Sequence, residues 1–317
     1  QKKYETTEEF VNLRDDLLQI LDSDERIPFV SKHGEHFYNF WRDKQNERGL
    51  WRRTTLEEYR KPQPEWEIIL DLDALAKQED ENWVWDGAQF LKPDNERVLI
   101  NLSRGGADAN VTREFDLTTK TFVDGGFARE ESKGGMAWID LDHVFIFTDF
   151  GPDSMTTSGY PRIVKLWKRG TPLDKAQVVY EGVPQDMIIS GYHDDSPGFE
   201  RNFINRTLAF YNDELYLLDD ELKLQKVDAP NSASKGVFHQ YLALELREPW
   251  EVAGKTYAAG SLLLANFDEF MEGKREFDVA FEPTERTSLA GSTFTKDYVL
   301  LNVLEDVKNK IYVLREY

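Results

Sequence analysis

The sequence feature that most constrains the fold is a strand-rich unit that recurs about every 50 residues. Each copy reads as an apolar strand, a polar turn and a second strand. The copies are LWRRTTLEEY (50–59), EFDLTTKTFV (114–123), KLWKRGTPLDKAQVVYEG (165–182), LYLLDDELKLQKV (215–227), LLLANFDEF (262–270) and LLNVLEDVKNKIYVLRE (300–316). Their anchors are separated by 64, 52, 50, 46 and 49 residues, the anchors being Trp51, Phe115, Trp167, Leu217, Leu263 and Tyr312.

A period of this length is typical of β-propeller blades, which contain four strands each. The sequence therefore predicts an all-β chain with about five to six blades. A β-sandwich remains the alternative, because its strands also recur every 8–12 residues or so. A sandwich, however, gives no reason for the longer period.

The start of the chain differs from the rest. Thr6 to Leu21 is predicted to be a helix, because Thr6-Thr7-Glu8-Glu9 fits a capping box and the apolar residues that follow share one face. These apolar residues are Phe10, Leu13, Leu17, Leu18 and Leu21. We expect residues 1–26 to form this helical segment and residues 27–317 to form the propeller, with short helical turns at 71–77 and 267–273.

Composition excludes several classes of partner. The formal net charge of −20 argues against nucleic acid and anionic membranes, because the carboxylates would repel phosphates. With 0 cysteines the chain has no disulfide or thiolate site, which favours a cytoplasmic over a periplasmic protein without excluding the latter. The chain begins without Met and ends on an alternating apolar segment, so we expect it to be a piece of a longer protein.

Motifs for chemistry are missing from the sequence. The strings nearest to a G-x-S-x-G elbow, LAGSTF (289–294) and TTSGYP (156–161), do not match it. The five histidines are predicted to be surface or packing residues, and the D-x-D pairs at 71–73 and 140–142 do not continue into calcium loops. We therefore predict no catalytic residue, no metal site and no cofactor in this chain.

Three longer strings resemble a known family. They are residues 27–76 (IPFVSKHGEHFYNFWRDKQNERGLWRRTTLEEYRKPQPEWEIILDLDALA), 82–117 (NWVWDGAQFLKPDNERVLINLSRGGADANVTREFDL) and 148–173 (TDFGPDSMTTSGYPRIVKLWKRGTPL). They are similar to the propeller domain of bacterial proteins in the prolyl oligopeptidase family. The resemblance implies a seven-bladed propeller that caps an α/β-hydrolase domain with a Ser-Asp-His triad. Cleavage follows proline in prolyl oligopeptidases and basic residues in oligopeptidase B.

This chain departs from the family pattern, because it has no hydrolase domain and no nucleophile elbow. We expect a truncated seven-bladed ring that is inactive alone. Its role would be to gate short peptides for its own hydrolase domain in the longer protein. A freestanding propeller that binds a protein partner is the main alternative, and a glycan-cleaving propeller is a third.

Two loops supply the candidate site residues. Arg104 and Asp108 belong to SRGGAD (103–108), and Asp149, Tyr160 and Arg162 belong to TDFGPDSMTTSGYPR (148–162). If these loops face the hydrolase domain, the five side chains would bind that domain or a passing peptide, with arginine–carboxylate pairs giving bidentate contacts. The alternative is that they pair within their own blade and make the loops rigid.

Overall fold

The computed structural model describes residues 2–23, 25–295 and 298–315. They form two compact units. The first comprises the residues up to Asp142 together with Arg169–Thr171, and the second comprises His143–Lys168 with the residues from Pro172 onward. No helix in the described part of the chain is long and apolar enough to cross a membrane.

The first unit opens with helices and continues as antiparallel strands. Its helices are α1 (Lys2–Glu5), α2 (Glu8–Leu21), α3 (Leu56–Tyr59) and α4 (Leu72–Glu79). Its strands are β1 (Ser31–His33), β2 (His36–Trp41), β3 (Leu50–Thr54), β4 (Glu67–Asp71), β5 (Trp83–Phe90), β6 (Arg97–Arg104), β7 (Asn110–Asp116), β8 (Thr121–Phe122), β9 (Ala128–Ser132) and β10 (Gly135–Trp138).

The described part of the second unit is also built from antiparallel strands, with one α-helix, α5 (Phe267–Met271), and a 3₁₀ turn at Leu173–Lys175. Its first strands are β11 (His143–Phe147), β12 (Ile163–Lys168), β13 (Gln177–Glu181), β14 (Ile188–Asp194), β15 (Arg201–Ala209), β16 (Asn212–Leu218), β17 (Leu224–Lys226) and β18 (Ser234–Phe238). The others are β19 (Tyr241–Glu245), β20 (Trp250–Val252), β21 (Lys255–Tyr257), β22 (Leu262–Asn266), β23 (Asp278–Phe281), β24 (Thr287–Phe294), β25 (Tyr298–Glu305) and β26 (Lys308–Arg315).

These strands make six blades. Four blades have four strands in chain order or nearly so, namely β1-β2-β3-β4, β10-β11-β12-β13, β14-β15-β16-β17 and β18-β19-β22-β23. The second blade is β5-β6-β7-β8 with β9 also paired to β7, and the sixth is β24-β25-β26. Strands β20 and β21 form a separate hairpin. The prediction of an all-β propeller with a short N-terminal helix thus agrees with the structure.

The seven-bladed prediction is wrong for this chain, because the described residues form six blades. The number came from the family resemblance and not from the repeat. Each of the six repeat units supplies one blade, and the residues before Ser31 are helical or irregular. In the described part of the chain, the strands outside these six sheets are β20 and β21, which form a two-stranded hairpin and not a blade.

The repeat itself has a simple structural meaning. All six anchor positions lie on the third strand of a blade, on β3, β7, β12, β16, β22 and β26. The predicted helical turns are confirmed as α4 and α5. The reading of LWRRTTLEEY as two strands is wrong in its second half, because Thr55 Oγ1 accepts the Glu58 N–H at 3.2 Å and caps α3.

The core lies between neighbouring blades. Strand β22 is buried on both faces: Leu263 packs in a cluster with residues of the fourth and fifth blades, whereas Leu262 and Leu264 pack with residues of the fifth and sixth. Successive side chains of a strand point to opposite faces, so the run LLLA serves two interfaces at once. In the first unit, a cluster that includes Tyr38 and Phe115 fills the space between the first two blades in the same way.

Candidate domain-docking surface

Helix α2 presents an apolar stripe that nothing in the described chain buries. Thr7 Oγ1 accepts the Phe10 N–H at 3.3 Å and caps the helix, one residue later than the capping box predicted. No side chain of α2 is buried, and Leu13, Leu17 and Leu21 are 60%, 50% and 62% exposed. An amphipathic helix of this kind normally buries its apolar face against another element, so the stripe is available to a partner.

Arg26 fixes the end of α2 to the first blade. Its guanidinium lies over the ring of Trp41, 4.5 Å from the centroid, and donates to the carbonyls of Ser23 and Arg42. Arg52 lies over the same tryptophan, also at 4.5 Å. Burial lowers the pKa of Arg52 to about 10, against the opposing effect of nearby Asp43. Arginine remains charged at this pKa, so both cation–π contacts persist at neutral pH.

A cavity of about 500 Å³ lies where α2 ends. Its wall combines apolar residues of the helix with charged residues of the connection between β2 and β3, and is formed by Leu18, Leu21, Asp22, Arg26, Arg42, Asp43, Lys44 and Glu47. We call the exposed stripe of α2 and this cavity the docking surface. We call the connection between the second and third strands of a blade its corner, so that residues 42–49 are the corner of the first blade.

The first two predicted site residues lie at the corner of the second blade, Arg104 at the end of β6 and Asp108 in the connection to β7. Arg104 donates to Glu81 at 2.9 Å and pairs with Glu131 at 3.2 Å, while Lys133 pairs with Asp108 at 3.3 Å. Asn82 joins this corner to that of the first blade: its side chain accepts from Arg48 at 2.7 Å, and its carbonyl accepts from the Gly105 N–H at 2.8 Å. The two corners therefore form one connected surface of the first unit.

The other three predicted residues lie in the corner of the third blade, in the second unit. Asp149 accepts from the Gly151 N–H at 2.8 Å and from Ser154 Oγ at 3.1 Å. The Tyr160 N–H donates to Thr156 Oγ1 at 3.2 Å. Arg162 is mostly buried and binds Glu181 at 2.7 Å and the Asp153 carbonyl at 2.6 Å. This long loop is therefore held by hydrogen bonds within it and by the contact of Arg162 with Glu181 on β13.

The contacts of Arg104 and Arg162 are those expected if the five residues stiffen their own loops. A direct role of Arg104, Asp108, Asp149, Tyr160 and Arg162 toward a peptide or another domain stays a prediction. Within the described residues, no group of three or more histidine, aspartate or glutamate side chains is arranged to hold a metal ion.

A polar network in the fourth blade was not predicted from the sequence. Arg206 binds the buried Asp186 through Nε and Nη2 at 2.9–3.1 Å and reaches Glu214 at 3.3 Å. Glu214 also accepts from Tyr216 Oη at 2.7 Å and from Lys226 Nζ at 2.6 Å. Burial would raise the pKa of Glu214, but the hydrogen bonds from Lys226 and Tyr216 and the charge of Arg206 lower it to about 2.

This network predicts acid sensitivity. Because the folded-state pKa of Glu214 lies below its unfolded value near 4.5, the group stabilises the fold above about pH 4.5 and this contribution is lost as the pH falls toward 2. Between pH 5 and pH 2 the unfolding free energy of the wild type should fall by about 2–3 kcal/mol more than that of the Glu214→Gln variant. Urea unfolding at several pH values measures this. The control is Glu221→Gln, which alters an exposed carboxylate; equal pH profiles for wild type and Glu214→Gln would refute the assignment.

Residues 5–198 match the family model described as prolyl oligopeptidase, N-terminal beta-propeller domain. The chain is 34% identical over 307 residues to uncharacterized peptidase y4nA of Sinorhizobium fredii, covering 93% of this chain and 42% of the relative. It is 30% identical over 329 residues to uncharacterized peptidase RP174 of Rickettsia prowazekii, covering 98% and 45%.

The fold gives the same result. A post-proline cleaving enzyme from Rickettsia typhi superposes with a TM-score of 0.93 at 29% identity, covering 100% of this chain and 48% of that one. The chain thus spans less than half the length of the curated relatives it matches. Since the family model covers more than half of the chain, the chain belongs to the prolyl oligopeptidase family and represents its N-terminal β-propeller domain.

Proposed function

We propose that this chain is the substrate-gating half of a serine endopeptidase, and that the catalytic half is an α/β-hydrolase domain in the same longer protein. The observation that carries the proposal is the match to the propeller model, combined with a length below half of that of the matched peptidases. Both curated relatives are named as peptidases, which favours this function over a freestanding binding propeller.

The docking surface supplies the physical basis for pairing. Burying a leucine side chain yields about 1.5–3 kcal/mol, so a stripe of exposed leucines on α2 can hold a second domain. The charged residues around the cavity beside it would orient that domain, since charge complementarity fixes register more than it adds affinity. The catalytic domain would thereby sit against the first unit through α2 and the corner of the first blade.

Gating would follow from size. A propeller held over a catalytic site admits a short flexible peptide, whereas a folded protein is too wide to pass. We further propose cleavage after proline, which the similarity to the Rickettsia typhi post-proline cleaving enzyme supports. Cleavage after basic residues is the competing specificity, and the same assay separates the two.

The test begins with the coding region downstream of residue 317. We expect roughly 300 further residues with a G-x-S-x-G elbow followed by Asp and then His. The full-length protein should cleave a short chromogenic peptide after its proline residue. It should not cleave a folded protein that contains the same sequence. A matched substrate with lysine in place of proline serves as the control. A stop codon directly after residue 317, or a downstream region without a serine elbow, would overturn the proposal.

A further inference from the structure

The tip of the hairpin between β15 and β16 presents two aromatic side chains to solvent. Ala209 pairs with Asn212, so the corner of this fourth blade consists of Phe210 and Tyr211 alone. They are 84% and 65% exposed. Two-residue turns usually contain Gly, Asn or Asp, because such residues adopt the tight backbone and face water without cost. An aromatic pair in this position does not serve the turn, which points to a contact with another surface.

Arg247 extends the same patch. Its guanidinium lies over the Tyr211 ring, 4.5 Å from the centroid, and it comes from the connection that follows β19. Aromatic residues and arginine are enriched in the central contacts of protein interfaces, because they bury a large area and lose little side-chain freedom. We call Phe210, Tyr211 and Arg247 the aromatic tip.

The position of the aromatic tip in its blade is informative. It forms the corner of the fourth blade, and the topologically equivalent corner of the first blade borders the docking surface. The corner of the sixth blade also presents an apolar side chain, Val307, which is 91% exposed. The same kind of connection thus carries apolar contact groups in both units.

A second copy of this chain is a poor occupant for the aromatic tip. Two chains of net charge −20 repel each other, and a symmetric contact would bring Arg247 close to its own counterpart. Stable homodimers also bury on the order of 800 Å² per partner or more, far beyond what one hairpin tip offers. A small anchor of this kind fits a partner that is already held elsewhere, because a second contact then forms at high effective concentration.

We propose that the aromatic tip is a second attachment point for the catalytic half of the longer protein, in addition to the docking surface. The inference rests on the proposed function, since that half is the partner. It adds a specific anchor in the second unit. Attachment at two points would hold the catalytic half more firmly than α2 alone.

The experiment uses this chain and the separately produced downstream polypeptide, with binding measured by calorimetry. Phe210→Ser/Tyr211→Ser should raise the dissociation constant at least tenfold and leave the thermal midpoint of the chain unchanged, because both side chains are exposed. The control, Asp220→Ser/Glu221→Ser, alters two exposed residues in the turn between β16 and β17 of the same blade.

The outcomes separate the two proposals. Binding of the wild-type chain with an unchanged dissociation constant for the double variant would overturn the aromatic tip and leave the proposed function standing. No binding of the wild-type chain would overturn both the aromatic tip and the docking surface, whereas the proposed function is tested separately by the coding region and the peptide assay. Sedimentation velocity tests whether a second copy of the chain binds the aromatic tip. If the chain alone is a dimer and the double variant is a monomer, the tip is a self-association contact and the inference is wrong.

Discussion

Replacing Glu114 with alanine is expected to lower the free energy of unfolding by about 3–5 kcal/mol. The Glu114 side chain is fully buried and binds Arg169 through two hydrogen bonds of 2.9 and 3.1 Å, while Arg97 approaches to 3.6 Å. It also accepts the Phe127 N–H at 2.8 Å. Alanine would leave two guanidinium groups and one backbone donor without their shared acceptor, which costs more than the pair itself contributes.

Urea unfolding followed by tryptophan fluorescence suits this measurement, because six of the eight tryptophans lie in the residues up to Asp142. Glu114→Gln should be less damaging, since an amide oxygen still accepts from Phe127. The control is Glu130→Ala, whose side chain is exposed, with an expected change within about 0.5 kcal/mol. If Glu114→Ala changes the unfolding free energy no more than this control does, the contacts of the buried carboxylate do not stabilise the fold as proposed.

Replacing Leu13 and Leu17 together with serine is expected to weaken binding of the catalytic half at least a hundredfold. The two side chains are 60% and 50% exposed in this chain. Covering them with a partner yields about 3–5 kcal/mol, which corresponds to a factor of a hundred or more in the dissociation constant. The stability of the chain alone should hardly change, because neither side chain is buried in it.

The matched control for this prediction is Asn12→Ser/Asp16→Ser, which alters two exposed residues of the same helix outside the apolar stripe. Circular dichroism of each variant checks that α2 still forms. If both double variants bind the catalytic half as tightly as the wild type does, α2 is not a docking element. In that case the pairing would have to use another surface.

The blades and the helix could be predicted from the sequence because both depend on local periodicity. The spacing of Phe10, Leu13, Leu17 and Leu21 specifies one face of a helix, and the recurring strand units specify blades. The repeat predicts about five to six blades, and the strand pairing of the described chain shows six. The seven-bladed type follows only from the family resemblance, and the strand pairing contradicts it.

The buried ion pairs could not be predicted from the sequence. Glu114 and Arg169 are separated by 55 residues, and Asp186 and Arg206 by 20. With 59 acidic and 39 basic residues, a large number of such pairings are equally consistent with the sequence. The aromatic tip cannot be predicted from the sequence for another reason: in RTLAFYNDELYLL, Phe210 and Tyr211 have the composition of a strand, and only the register shows that they form the turn.

One further signal was present in the sequence. Asn39, Asn101, Asn205 and Asn302 each lie within the second strand of a blade, on β2, β6, β15 and β25. Asparagine is uncommon inside strands, so its recurrence beside apolar residues could have aligned the repeats at a second position. In the first two blades its amide oxygen has a partner on the third strand, Arg52 for Asn39 and Thr112 for Asn101.

The alternation along β22 bears on how chains of this kind change length during evolution. The fifth blade meets its two neighbours through opposite faces of this one strand, so a single alternating pattern makes both interfaces. Duplicating or deleting one whole repeat brings together faces that are already apolar. Inserting one residue in a strand instead moves every following side chain of that strand to the opposite face, which disrupts both interfaces. Blade number is therefore easier to change than strand register, and relatives with the same local pattern are able to differ by a blade.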